Sequence, residues 1–176
     1  MKVGYGVTLL LAALIIAGND RPGSAQGKAP NVERAQRRMA LYTPDPFAGR
    51  WKLNVAKSKF IPGPPLKSGT VEIEEQSGGF KCVLDPVDAQ GNARHGEWVA
   101  KYDGKDYPAR MTPFADAIAL SRVDADTLSA SYKNGGKEIL SERWLVSKDG
   151  KTLTMIQKAK NPPAQGIDNT LVYEKQ

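Results

Sequence analysis

From Phe47 onward the chain is a succession of short apolar-alternating runs separated by Gly, Asp, Asn and Pro clusters. No stretch between the runs is long enough for a crossover helix. Parallel neighbours need a crossover of about a dozen residues or more, so such strands must pair in sequence order and antiparallel.

The alternation names the inward positions. "GRWKLN" puts Trp51 and Leu53 on one side, and "GTVEIEE" puts Val71 and Ile73 inward with Glu72 and Glu74 outward. "FKCVL" aligns Phe80, Cys82 and Leu84, and "HGEWVAKYDG" aligns Trp98, Ala100 and Tyr102. "DAIALSRV" aligns Ile118 and Leu120, and "DTLSASYK" aligns Leu128, Ala130 and Tyr132. "KEILSERWLVS" carries Leu140, Trp144 and Val146 in one phase and Ile139 and Leu145 in the other. "KTLTMIQKA" and "NTLVYEK" contribute Leu153, Met155, Leu171 and Tyr173. Asp103-Gly104, Asp149-Gly150 and Asn134-Gly135-Gly136 read as hairpin turns, and Asp124-Ala125-Asp126 as an Asx turn.

One open sheet of this many strands would leave a bare apolar face and two bare edges. Closure removes both, so an all-β, up-and-down antiparallel barrel of about 8–10 strands is expected, with a two-sheet sandwich as the alternative. The Pro/Gly loops "IPGPPLKSG" and "NPPAQG" are expected to cover an opening or an edge.

The residues before the strands are of another kind. Lys2 followed by the eleven-residue apolar run Val7 to Ala17, then "GSA", has the layout of a secretory signal peptide. The run is short of the ~20 apolar residues of a membrane span. Cleavage is expected after Ala25, with Gly18 as the second choice, and a secreted or periplasmic location follows. Residues 1–25 are thus expected to be a signal peptide, 26–46 a polar basic arm, partly helical or disordered, and 47–176 one barrel domain. Of the net charge of +6, the arm holds Lys28, Arg34, Arg37 and Arg38 against Glu33. With the basic excess in one arm and no basic face interleaved with aromatics, nucleic acid is not an expected partner. Weak contact with the cell envelope through Arg34, Arg37 and Arg38 is.

Residue types for covalent chemistry are sparse. Cys82 is the single cysteine, so no intramolecular disulfide is available, and its phase suits a small buried hydrophobe. His95 is the single histidine, in an outward phase with Glu97, and reads as exposed. One His and one Cys do not make a zinc site. Asp124/Asp126 and Asp103/Asp106 lack the spacing of a calcium loop and read as turn chemistry. A glycosidase-type carboxylate pair has no local motif; Glu72, Glu74 and Glu75 are candidates by type alone. No cofactor is expected.

The chain resembles small secreted bacterial barrels of the lipocalin-like (calycin) type over roughly residues 45–176. The resemblance rests on "GRWKLN", the meander of "DG" hairpins and the terminal "NTLVYEK". The phrases "WKLNVAKSKF", "AKYDGKDYP" and "SKDGKTLT" also look like those of secreted proteins of soil bacteria. In the lipocalin family a Gly-x-Trp places an indole across the closed end, under an Arg from the last strand. Gly49 and Trp51 match that motif, while the last strand offers Lys175, leaving Arg143 as a possible substitute. The other family signatures are not recognisable. The resemblance implies a non-enzymatic carrier binding a small hydrophobic or amphipathic ligand; the sequence leaves the oligomeric state open, with a monomer favoured. Its site is expected at Trp98, Tyr102, Tyr132 and Trp144, interleaved with the small residues Ala100, Ala130 and Ser141. The alternatives are a solid β module for protein or envelope contact, and a hydrolase with an unrecognised carboxylate pair.

Overall fold

The computed structural model describes residues 43–176, apart from 112, 160, 163 and 164. The expected signal peptide and most of the arm, with Arg34, Arg37 and Arg38, lie outside the described residues. Ten strands follow in order: β1 (Gly49–Leu53), β2 (Ser68–Gln76), β3 (Gly79–Val87), β4 (Gly96–Lys101), β5 (Asp103–Met111), β6 (Ala115–Arg122), β7 (Thr127–Asn134), β8 (Lys137–Val146), β9 (Thr152–Lys158) and β10 (Asp168–Lys175). Each pairs antiparallel with its sequence neighbours, and β1 closes on β10 with Trp51 opposite Lys175 and Leu53 opposite Tyr173. The molecule is therefore the expected up-and-down barrel and not a sandwich, because a single hydrogen-bonded ladder runs all the way round. That architecture is compatible with the lipocalin-like type.

One strand escapes the sequence pattern. β5 is exposed along most of its first half and carries Pro108, which has no N–H to give to a ladder. Its ladder with β4 is confined to Glu97 opposite Arg110 and Trp98 opposite Ala109, next to that proline. Its pairing with β6 is longer but shifts register twice.

Most turn signals fall where expected, but Asp103-Gly104 does not: both residues belong to β5, with Asp103 opposite Ser121 and only Tyr102 between β4 and β5. Asn134 pairs with Lys137, so Gly135 and Gly136 alone make the β7–β8 turn, at φ 57° and 77°. Two consecutive positive φ values are what a twist-matched two-residue hairpin requires. Asp149-Gly150 lies inside a longer turn, in which Ser147 N–H donates to Thr152 O and Gly150 N–H to Ser147 O. Asp124 Oδ1 accepts from Asp126 N–H, as an Asx turn does.

Strand direction divides the connections between two ends. The β2–β3, β4–β5, β6–β7 and β8–β9 turns share one end with the start of β1 and the end of β10. This end is closed. Phe47 and Trp51 are fully buried there, and Trp51 Nε1–H donates to Phe47 O at 2.9 Å. Lys175 Nζ lies 4.9 Å from the Trp51 ring centroid. Lys175 thus takes the place offered to Arg143, whose outward phase on β8 leaves it exposed beside Ser129 and Ile156. Gly49 has φ 127°, and a Cβ there would stand 2.9 Å from Lys175 Cε. The glycine of the motif therefore leaves room for the cation that covers the tryptophan.

Asp45, expected in the arm, is part of this closed end. Its Oδ2 accepts from Tyr102 Oη–H at 2.7 Å and from Arg122 Nη2. The Arg122 guanidinium lies 4.2 Å from the Tyr102 ring centroid and 5.6 Å from that of Phe47. Above this plug comes an aromatic layer of Phe80, Trp98 and Trp144, with centroid separations of 5.1 to 6.1 Å. Aromatic side chains of this size dominate core energetics through the apolar area they bury.

Candidate functional site

At the other end the barrel is open and holds a cavity of about 400 Å³. Its walls are inward residues of strands spaced around the barrel: Leu84 on β3, Met111 on β5, Leu140 on β8 and Leu171 on β10, with Phe114 and Ile167 from adjoining loops. Phe60, Pro62, Pro64 and Leu66, from the long β1–β2 connection, stand over the mouth. The proline-rich loop therefore covers an opening, as the sequence suggested. The rim carries two basic groups, each beside a carboxylate: His95 Nδ1 lies 2.7 Å from Asp85 Oδ1, and Arg94 Nη2 lies 3.9 Å from Asp88 Oδ2. His95 is exposed, in keeping with its outward phase.

The inner end is polar. Glu142 on β8 is 5% exposed and lines the cavity with Tyr132, Gln157, Asn169 and Tyr173. It is the only buried carboxylate among the described residues. Register explains the grouping, since Glu142 faces Gln157 across β8 and β9, and Gln157 faces Asn169 across β9 and β10. Gln157 Nε2–H donates to Glu142 Oε1 at 2.6 Å, and Trp144 Nε1–H donates to Glu142 Oε2. Asn169 Nδ2–H donates to Gln157 Oε1 at 2.9 Å, and Asn169 Oδ1 accepts from Ile61 N–H at 2.8 Å. A line of hydrogen bonds thus joins the mouth loop to the buried carboxyl.

Burial pushes the Glu142 carboxyl above its ordinary range, and the hydrogen bonds from Gln157 and Trp144, with the nearby Tyr132 hydroxyl, offset part of that rise. Tyr132 is fully buried, and its hydroxyl lacks a well-formed hydrogen bond. It still lies close enough to Glu142 for each group to shift the other. Burial also raises Tyr173 and Cys82, with the Glu142 charge adding to both. No lysine, arginine or histidine among the described residues stands within ion-pair distance of Glu142.

Of the four residues expected to bind ligand, Tyr132 lines the cavity. Trp98 and Trp144 pack in the aromatic layer, and Tyr102 belongs to the closed end with Asp45 and Arg122. Ala100 and Ala130 are buried, whereas Ser141 faces out. Glu142 was missed, although the alternation showed where it points: Leu140, Trp144 and Val146 frame it on the inward side of β8. Glu72, Glu74 and Glu75 are exposed on β2.

No family model matches the chain, and no curated protein matches it. Its function must be argued from the cavity.

Proposed function

We propose that this is an exported binding protein of lipocalin-like type, holding a small amphipathic molecule non-covalently in the open end of its barrel. One observation carries the reading: a cavity of about 400 Å³ with apolar walls and convergent polar groups at its inner end. Pockets for small molecules have that construction and run to roughly 300–1,000 Å³. Burial of the ligand's apolar surface supplies the affinity, at roughly 25 cal/mol per Å², and the polar groups fix its orientation. A solid β module has no use for such a space. Glycoside hydrolysis employs two carboxyl groups flanking the scissile bond, whereas Glu142 is the one carboxyl in this lining.

Native mass spectrometry of the exported protein, with titration by a neutral environment-sensitive dye such as Nile red, tests the reading. A co-purified small molecule, or saturable dye binding displaced by amphiphiles, is the expected result. A protein that carries nothing and binds neither dye nor amphiphile would refute it.

A further inference from the structure

We propose that the ligand is an amine: an apolar body bearing a primary or secondary ammonium group that pairs with Glu142. This rests on the reading of the barrel as a carrier and names its ligand class. The argument begins with what Glu142 lacks. It is a buried carboxyl facing an open space, with hydrogen bonds from two neutral donors, Gln157 and Trp144, and no cation beside it among the described residues. A carboxylate can accept about four hydrogen bonds, so roughly half its capacity is unused. A buried carboxylate without a counter-charge is disfavoured unless a cation arrives with good geometry.

The surrounding groups narrow the choice. Gln157 has its oxygen turned to Asn169 and a nitrogen turned to Glu142, so its amide is already engaged on both sides. The Tyr132 hydroxyl, buried and lacking a well-formed hydrogen bond, can accept from the same incoming group. An ammonium carries three donors and no acceptor, which matches the open positions on Glu142 and Tyr132. A ligand carboxylate would meet Glu142 as a like charge. The rim cations do not reverse this preference, because His95 and Arg94 each stand beside their own aspartate. The elevated protonation range of Glu142 agrees with a site completed by a cation.

Three probes of matched chain length, octylamine, octanol and octanoate, test the proposal on the exported chain by calorimetry or tryptophan fluorescence. Octylamine is expected to bind at least about tenfold more tightly than octanol near pH 8, the size of effect that one charge-assisted hydrogen bond provides. Glu142→Gln should abolish that preference, bringing the amine-to-alcohol affinity ratio to about one. Lowering the pH should weaken octylamine alone as Glu142 becomes neutral. Tyr132, Tyr173 and Cys82, the other titratable groups facing it, all have raised values, so they stay neutral over that range. Should the variant fail to fold, the amine-to-alcohol ratio of the unaltered protein at acid and neutral pH decides the matter. A preference for octanol or octanoate, or a ratio independent of both pH and Glu142, overturns the amine assignment while leaving the carrier intact. Absence of binding by all three probes overturns the carrier reading and this one with it.

Discussion

The indole N–H of Trp144 donates to Oε2 of Glu142, two residues back along the same inward face of β8. The carboxyl at the cavity's inner end is therefore seated on the aromatic layer beneath it, and Trp144 fluorescence should respond to its ionisation.

Glu142 should make stability fall with rising pH. Its folded-state pKa is raised, so the native protein holds this proton more tightly than the unfolded chain does. Below the unfolded value of about 4.3 both states are protonated and no penalty exists; the penalty grows as pH rises from there through the folded value, then levels off. Glu142→Gln removes it. The variant is expected to match the parent in acid and to exceed it by a margin that grows as pH rises toward neutrality. Urea unfolding across a pH series measures this, and an advantage that does not grow with pH would count against the assignment.

Leu140 is buried and lines the cavity wall. Leu140→Trp should fill part of the space and lower amphiphile affinity about tenfold or more, with unfolding free energy changed by less than about 1–2 kcal/mol. Binding and thermal melts on the same sample separate the two effects. A variant that binds undiminished would place the ligand elsewhere.

Asp45 joins Tyr102 and Arg122 at the closed end, where Arg122 and Asp45 have side chains only 26% and 13% exposed. Asp45→Ala leaves a half-buried guanidinium and a tyrosyl hydroxyl without their acceptor, at a cost of about 2–3 kcal/mol. Ligand binding at the opposite end should persist in the folded fraction. Equilibrium unfolding combined with dye titration checks both halves.

Gly79 opens β3 opposite Lys101, and a Cβ there would stand 1.9 Å from Ala100 O and 2.6 Å from Lys101 Cα. Both neighbours are backbone, so neither can swing aside. Gly79→Ala should cost about 3 kcal/mol or more by forcing the β3–β4 ladder apart. Gly78→Ala, next to it with open space around its Cβ position but φ 76°, should cost only about 1 kcal/mol. Comparing their melting temperatures tests the contrast.

Much of the barrel was legible because alternation and turn chemistry are local. Gly135-Gly136 needs only its own two φ values to announce a hairpin, and Val71 and Ile73 need only their spacing to announce an inward face. β5 was not legible, because its ladder on one side is short and its Pro108 mimics a break. The inward side of β8 was readable down to Glu142, but periodicity does not tell a side chain in contact from one that borders empty space. That difference depends on where bulky groups from distant strands meet. Phe80, Trp98 and Trp144 fill one level of the barrel; Tyr132 and Leu140 border the gap at another. The bond from Tyr102 to Asp45 spans 57 positions and has no sequence signature at all.

The hydrogen bonds from Ile61 through Asn169 and Gln157 to Glu142 have a direction. Each amide accepts on the side toward the mouth and donates on the side toward the carboxyl. A carboxylate can only accept, so its presence at the inner end dictates which way round both amides sit. Asn169 consequently offers an oxygen, not a nitrogen, to the backbone of the loop above the mouth. The deepest charge in the cavity thereby selects the handle by which its cover is held.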